Sequence, residues 1–524
     1  MGIYLNPGNE NFKEIAGMEY YVDKSMLLDI TNSMIGRANK YICMSRPRRF
    51  GKTITGNMIA AYYSRGCDSE DVFSVLKISS TQDYRKHLNK YNVIYVDLNS
   101  EYQNIKDKSN LILYLQDKIK DEVALNYPDI DFEEKDSLAE AILKVYGTTK
   151  DTFIVLIDEY DVLVREQVSG KLFDEFLSFL NGLFKSNTLR PAISLAYLTG
   201  ILPIVRDKIQ SKLNNFEEYT ILDAGDFAEY VGFTSEEVEL MCAEQGMDYR
   251  LCRKWYDGYS QNGYEIYNPE SVVKSMKKHK YAGYWSKTSS YKVISDRLDQ
   301  NFKGTRDDVI RMLAGERVDV NVTSYLNTMD SFETKDDMFT YLMHLGYLAY
   351  DDDEGTCRIP NSEVRQEWFN AVAINKDYET TDHIIRASKA LLDATLRGDE
   401  DAVARALDIS HIHVSSNRSY NNEDVFQSAI YLAYIYALNK YTIIKEMTAG
   451  KGFADVVFIP YVPDIPAMVI ELKHEKTAES GLKQIKDKQY FESLQHYEGN
   501  MLLIGINYDE ESKTHSCVIE EYCI

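Results

Sequence analysis

Two groups of residues in this 524-residue chain have the types and spacing for chemistry. The first runs Ser45-Arg-Pro-Arg-Arg49-Phe-Gly51-Lys52-Thr53. Its last three residues supply a tight turn, an ammonium for terminal phosphates and a hydroxyl for Mg²⁺, as the end of a G-x-x-x-x-G-K-[ST] phosphate loop does. Arg46 stands where the first glycine of that pattern falls, and Arg46, Arg48 and Arg49 add charge a plain phosphate loop lacks, Arg46 and Arg49 reading as cations beside the phosphates. Asp158-Glu159 is the acidic complement: Asp158 would share the Mg²⁺ shell with Thr53, and Glu159 would polarise an attacking water. Thr199 could contact the γ-phosphate or that water. Arg206 could reach a neighbouring subunit's nucleotide, although a solvated helix charge is the stronger account of it. The ligands these residues call for are ATP and Mg²⁺.

The second group is Asp455, Glu471 and Lys473, with Glu423 before them and Gln484 after. Successive side chains of a strand point to opposite faces, so Glu471 and Lys473 share one. A hard divalent cation takes carboxylate oxygens, here Asp455 and Glu471, and keeps room for waters and a phosphate. Lys473 can position or help deprotonate a water, or stabilise charge on phosphoryl oxygens. Glu423 could complete the metal shell, and Gln484 could hydrogen-bond near the site. Phosphodiester hydrolysis with Mg²⁺, or with Mn²⁺, is the reaction such a set performs.

The elements that must position these groups follow from hydrophobic patterning. Tyr41 to Ser45 reads as a buried strand and Thr53 to Tyr63 as a helix, which puts the loop at a helix N-terminus where free N–H groups favour anions. Asn92 to Leu98, Phe153 to Ile157, Ala192 to Leu198 and Glu218 to Leu222 are the remaining strands, Phe153 to Ile157 being continuously apolar as a strand covered on both faces is. Carboxylates at the end of such a strand lie beside the phosphate loop in a doubly wound sheet. Further on, Asp351 to Glu354 before Gly355 reads as a solvated hairpin tip. Val425 to Leu438 reads as a helix, Tyr441 to Ile444, Asp455 to Ile459 and Met468 to Lys473 as strands, with Gln484 on a helix that follows.

Ser45 to Thr53, Leu156-Ile-Asp158-Glu159-Tyr-Asp161, Leu198-Thr-Gly-Ile201 and Leu213-Asn-Asn215 together resemble the bacterial family of AAA-ATPase-like proteins. Gly232-Phe-Thr234, Trp255-Tyr-Asp-Gly-Tyr259, Tyr267-Asn-Pro269 and Tyr284-Trp285 extend the match over most of the chain. The resemblance implies that arginine at position 46 is the family's own form of the loop. It also implies an AAA+-like core and a C-terminal domain of the PD-(D/E)XK nuclease superfamily, which the D…E-x-K arrangement resembles. Phe453 departs from that pattern, since relatives often carry arginine two residues before the aspartate.

Composition narrows the field. The formal net charge of −23, from 59 basic and 82 acidic side chains, opposes nonspecific wrapping of nucleic acid but leaves it open as a substrate at a metal-neutralised site. Seven cysteines without a C-x-x-C pair argue against a disulfide framework and a zinc site. No apolar run reaches the length of a membrane span and the first thirty residues lack a signal core, so the expectation is a cytoplasmic protein with no membrane partner.

The resulting expectation is an α/β chain in three parts. Residues 1–225 form an AAA+-like P-loop core with a parallel sheet, 226–377 a helical lid and winged-helix-like region, and 378–524 a restriction-endonuclease-like domain. ATP binding and hydrolysis in the first part would drive or gate nucleic-acid cleavage in the last, with DNA ahead of RNA as substrate, a role in defence or mobile-element control open, and a homo-oligomer open. The alternative is an ATP-switched nucleic-acid- or partner-binding regulatory protein whose nuclease-like domain is inactive.

Overall fold

The computed structural model describes residues 2–522 except 169, 205–212, 286–289, 301, 314, 326–331, 375–378, 415–425, 427–428, 432, 450–451, 462–463 and 491–498. Arg206 and Glu423 therefore lie outside the described residues, as does part of the expected helix from Val425. The chain forms two compact units, Met1–His279 with Asp319–Cys357, and Lys280–Val318 with Arg358–Ile524.

In the first unit the continuous apolar runs become the strands of one parallel sheet. These are β1 (Tyr41–Ser45), β2 (Asn92–Asp97), β3 (Phe153–Asp158), β4 (Ile193–Gly200) and β5 (Glu217–Tyr219), in the order β2-β3-β4-β1-β5. Every residue of β1, β3 and β4 is buried, as expected when helices cover both faces. Register does the positioning. Asp97 pairs with Asp158, Ile157 with Leu198 and Ser45 with Gly200, so the polar ends of four strands meet at one edge of the sheet. β5 ends three residues earlier than the pattern Glu218 to Leu222 suggests. The Thr220 hydroxyl accepts the Leu222 and Asp223 N–H groups at 3.1 and 3.2 Å and turns the chain there.

Beyond this sheet the unit contains β6 (Phe233–Thr234), β7 (Tyr259–Gln261) and β8 (Tyr264–Tyr267), in the order β6-β8-β7, interleaved with helices Ser235–Gln245 and Tyr249–Tyr256. Helix Pro269–Lys278 follows, capped by Asn268. The acidic hairpin tip is as expected. It joins β10 (Ala349–Asp351) to β11 (Thr356–Arg358), with β9 (Val318–Asp319) next to β11.

The second unit contains a mixed sheet of β12 (Tyr441–Ala449), β13 (Gly452–Pro460), β14 (Ala467–His474), β15 (Met501–Asp509) and β16 (Thr514–Tyr522), adjacent in that order. Only the β14–β15 pair is parallel. The crossover between them includes helix Ala478–Asp487, which presses on the sheet through two glycines. A Cβ at Gly481 would lie 3.1 Å from the Glu471 carbonyl oxygen, and one at Gly505 would collide with the Ala478 carbonyl oxygen and lie 2.9 Å from Leu482 N. This close approach brings Gln484 down to Glu471. Adding a methyl group here overpacks a backbone-to-backbone contact, so Gly505→Ala should lower stability by about 1–3 kcal/mol. The check is the urea midpoint of the full chain; an unchanged midpoint would show that the helix yields freely.

Candidate active sites

The phosphate loop of the first unit bends through two left-handed residues, Arg49 at φ +71° and Gly51 at φ +89°. A Cβ at Gly51 would meet nothing within 4 Å, so glycine is required there by the dihedral, not by crowding. Gly51 caps helix Lys52–Tyr63. Lys52 is buried, and its ammonium donates to the Arg46 and Pro47 carbonyl oxygens, both at 2.9 Å. Burial pulls its pKa down to about 8, opposed by the charges of Asp158, Asp161 and Glu159. A cavity of about 870 Å³ opens beside it, lined by Arg48, Arg49, Gly51, Lys52, Thr53, Glu159 and Arg165. Its lining also includes the apolar and aromatic Phe12, Ile15, Tyr20 and Tyr21 and the basic Lys274 and Lys277. Arg49 also pairs with Glu270 at 3.2 Å.

Asp158 is 1% exposed. Its Oδ1 accepts the Thr199 hydroxyl and, at 2.9 Å, the Glu159 N–H, while Oδ2 has no hydrogen-bond partner. A buried carboxylate oxygen without a partner, at the edge that carries Lys52 and Thr53, fits a divalent cation. Glu159 has φ +52° and accepts from Arg165 Nη2 at 2.5 Å.

Two expectations change here. Arg46 is 0% exposed and is not among the cavity-lining residues; its Nη1 donates to the Ser45 and Tyr219 carbonyl oxygens at 2.9 and 3.0 Å. The guanidinium thus ties the loop to β5 through Nη1, and Arg46 does not line the cavity. Thr199 is likewise buried and its hydroxyl donates to Asp158, so its reach ends at that carboxylate. Three acidic or basic neighbours were missed in the sequence. Asp97 lies opposite Asp158, and burial together with the Asp158 and Glu159 charges holds it above its ordinary pKa. Asp161 accepts the Ile201 and Leu202 N–H groups at 3.0 and 2.8 Å. Arg165 stands one helical turn past Asp161, a spacing that could have flagged it.

In the second unit Asp455, Glu471, Lys473 and Gln484 come together. Asp455 Oδ2 accepts the Leu472 N–H at 2.7 Å, just past the last paired residues Val456 and Ile470. Glu471 is 2% exposed. Its Oε1 accepts from Lys473 Nζ at 2.8 Å and from the Gln484 amide, and its Oε2 has no partner. The Gln484 amide also donates to the Tyr490 hydroxyl at 3.1 Å, a residue the sequence reading passed over. Burial, and then the Asp455 charge, pushes Glu471 up to about 7. Two carboxylates whose charges interact, one with a buried oxygen that has no hydrogen-bond partner, fit a divalent cation as well. Phe453 is 62% exposed.

Residues 7–210 match the family described as Predicted AAA-ATPase, and residues 421–517 match the PD-(D/E)XK nuclease superfamily. An "Uncharacterized protein in vnfD 5'region" from Azotobacter chroococcum mcd 1 is 23% identical over 520 residues, 94% of each chain. Among solved structures, the ORC2 protein of Aeropyrum pernix aligns at 10% identity and TM-score 0.32 over 68% of this chain and 96% of its own. DnaA from Aquifex aeolicus aligns at 11% and 0.25, over 69% and 89%. Among the described residues no helix is long and apolar enough to cross a membrane.

The raised Glu471 pKa has a definite sign. Its contribution to folded stability is full below the ordinary glutamate range and is lost as pH rises through about 7. In EDTA, the urea midpoint of the full chain should fall from pH 5 to pH 8 by more than that of Glu471→Gln, which cannot ionise. Parallel pH profiles for the two proteins would show that Glu471 titrates normally.

Proposed function

We propose that this chain, which joins a Predicted AAA-ATPase-like domain to a domain of the PD-(D/E)XK nuclease superfamily, hydrolyses ATP and cleaves nucleic acid. In this reading residues 1–225 are the ATPase core, 226–377 a lid and small connecting region, and 378–524 the nuclease, with the ATPase gating the cut. DNA is the substrate favoured over RNA. The observation that carries the reading is the meeting of Lys473 and Gln484 on one oxygen of buried Glu471, with the Asp455 charge acting on the same carboxylate and its other oxygen without a hydrogen-bond partner.

At the first site the Lys52 ammonium would exchange the Arg46 and Pro47 carbonyls for the terminal phosphates of ATP, an exchange favoured by the greater negative charge. Thr53 and Asp158 would hold Mg²⁺, which neutralises phosphate charge when bound. Thr199 keeps Asp158 oriented. Glu159 would align a water and accept its proton.

At the second site Asp455 and Glu471 would hold Mg²⁺ or Mn²⁺, with Glu423 as a proposed further carboxylate; the cation supplies Lewis acidity at the scissile phosphate. Lys473 would orient the attacking water or stabilise charge building on the phosphoryl oxygens. Gln484, braced by Tyr490, fixes the Glu471 rotamer. One observation favours the alternative of an ATP-switched binding protein: exposed Phe453 offers a stacking surface, not a charge, two residues before Asp455.

Two assays test this. Linear, circular and single-stranded DNA and RNA incubated with Mg²⁺ or Mn²⁺ should be cut by the intact chain, and Lys473→Ala should slow the cut about 10²–10³-fold. Asp455→Ala should abolish it. Undiminished cleavage by both variants would remove these residues from the site, and nucleotide-dependent binding without cleavage under either metal would favour the alternative. Separately, Lys52→Ala should eliminate ATP turnover, measured as phosphate release.

A further inference from the structure

Arg165 ends a one-turn helix, Val162–Arg165, that begins three residues after Glu159. Its side chain is 12% exposed and lines the cavity that Lys52, Thr53 and Glu159 also line. It has two carboxylate partners of unequal freedom. Nε lies 3.2 Å from Asp161 Oδ2, and that carboxylate is buried and fixed by the Ile201 and Leu202 N–H groups. Nη2 donates at 2.5 Å to Glu159, whose side chain is 29% exposed at the cavity wall. The guanidinium therefore has a fixed ion-pair partner on one side, without a hydrogen bond from Nε, and an exchangeable hydrogen-bonded partner on the other.

We propose that Arg165 reads the terminal phosphate in cis: it holds the Glu159 carboxylate, and a triphosphate in the cavity competes for the guanidinium and frees Glu159 to act on water. This rests on the ATP reading above. A terminal phosphate carries more charge than one carboxylate and accepts a guanidinium through two oxygens, so the exchange is favourable. While its carboxylate is held by the Arg165 guanidinium, Glu159 is turned to that partner and not to a water in the cavity. A diphosphate lacks the competing group, so it leaves the Arg165–Glu159 pair in place. Hydrolysis is thereby tied to the presence of a γ-phosphate without an arginine from another subunit.

The test measures equilibrium affinities for a non-hydrolysable ATP analogue and for ADP, together with single-turnover hydrolysis of ATP, on the full chain. Arg165→Ala should weaken analogue binding about 10-fold while ADP binding changes less than about 3-fold. Arg165→Lys, which keeps the charge but loses the fork and preserves a partner for Asp161, should fall between. Glu159→Gln should strengthen analogue binding relative to ADP, because the guanidinium is released from its carboxylate. Equal changes for both nucleotides in the arginine variants, or no change, would overturn the inference and leave Arg165 as a scaffold for Asp161. If the Ala variant does not fold, the Lys and Glu159→Gln results decide. An unmodified chain that binds neither nucleotide would overturn the ATP reading itself; one that binds and hydrolyses ATP, with its triphosphate preference intact in Arg165→Lys and unimproved in Glu159→Gln, would overturn only the role given to Arg165.

Discussion

Asp158 and Glu471 are each almost completely buried, with one carboxylate oxygen hydrogen-bonded and the other without a partner. Burying a carboxylate costs several kcal/mol after relaxation unless charges and hydrogen bonds compensate. Each unit supplies part of that compensation and leaves one oxygen unused. For Asp158 it comes from the Thr199 hydroxyl and the Glu159 N–H. For Glu471 it comes from Lys473 and Gln484. The parallel register of β3 against β4 and the glycine-mediated approach of helix Ala478–Asp487 to β14 and β15 are the backbone features that make these partners available. A buried carboxylate oxygen without a hydrogen-bond partner is the kind of ligand a divalent cation takes, and one lies within each of the two matched regions.

The buried strands of the first sheet and the Glu471–Lys473 pair were legible in the sequence because they follow local rules. Continuous apolar runs such as Phe153 to Ile157 announce strands buried on both faces, and the polar residue that ends each run is then placed at one sheet edge. The alternation Glu471-x-Lys473 put both side chains on one face, and they are hydrogen-bonded. β15 and β16 went unread although Met501 to Ile506 is strongly apolar, since a short apolar run does not by itself distinguish strand from buried helix.

Side-chain direction was not legible. Arg46 looked like a phosphate ligand because it stands in a phosphate loop, yet its side chain points under the loop, where burial lowers its pKa to about 10 and the Ser45 and Tyr219 carbonyls receive it. Motif position specifies the backbone path, and the rotamer depends on neighbours as distant as β5. Arg165 shows the converse. It belongs to no motif, and only the fold of Asp161 against Ile201 and Leu202 shows that it faces Glu159. Both arginines depend on contacts across strands, which sequence spacing does not encode.

In the proposed function one nucleotide site governs one cutting site within this chain. Single-turnover cleavage of an end-labelled linear DNA in Mg²⁺, with and without ATP, by the intact chain and by Lys52→Ala tests it most directly. ATP should change the cleavage rate of the intact chain and leave that of Lys52→Ala unaltered. Equal rates with and without ATP in the intact chain, or cleavage by neither protein, would contradict it.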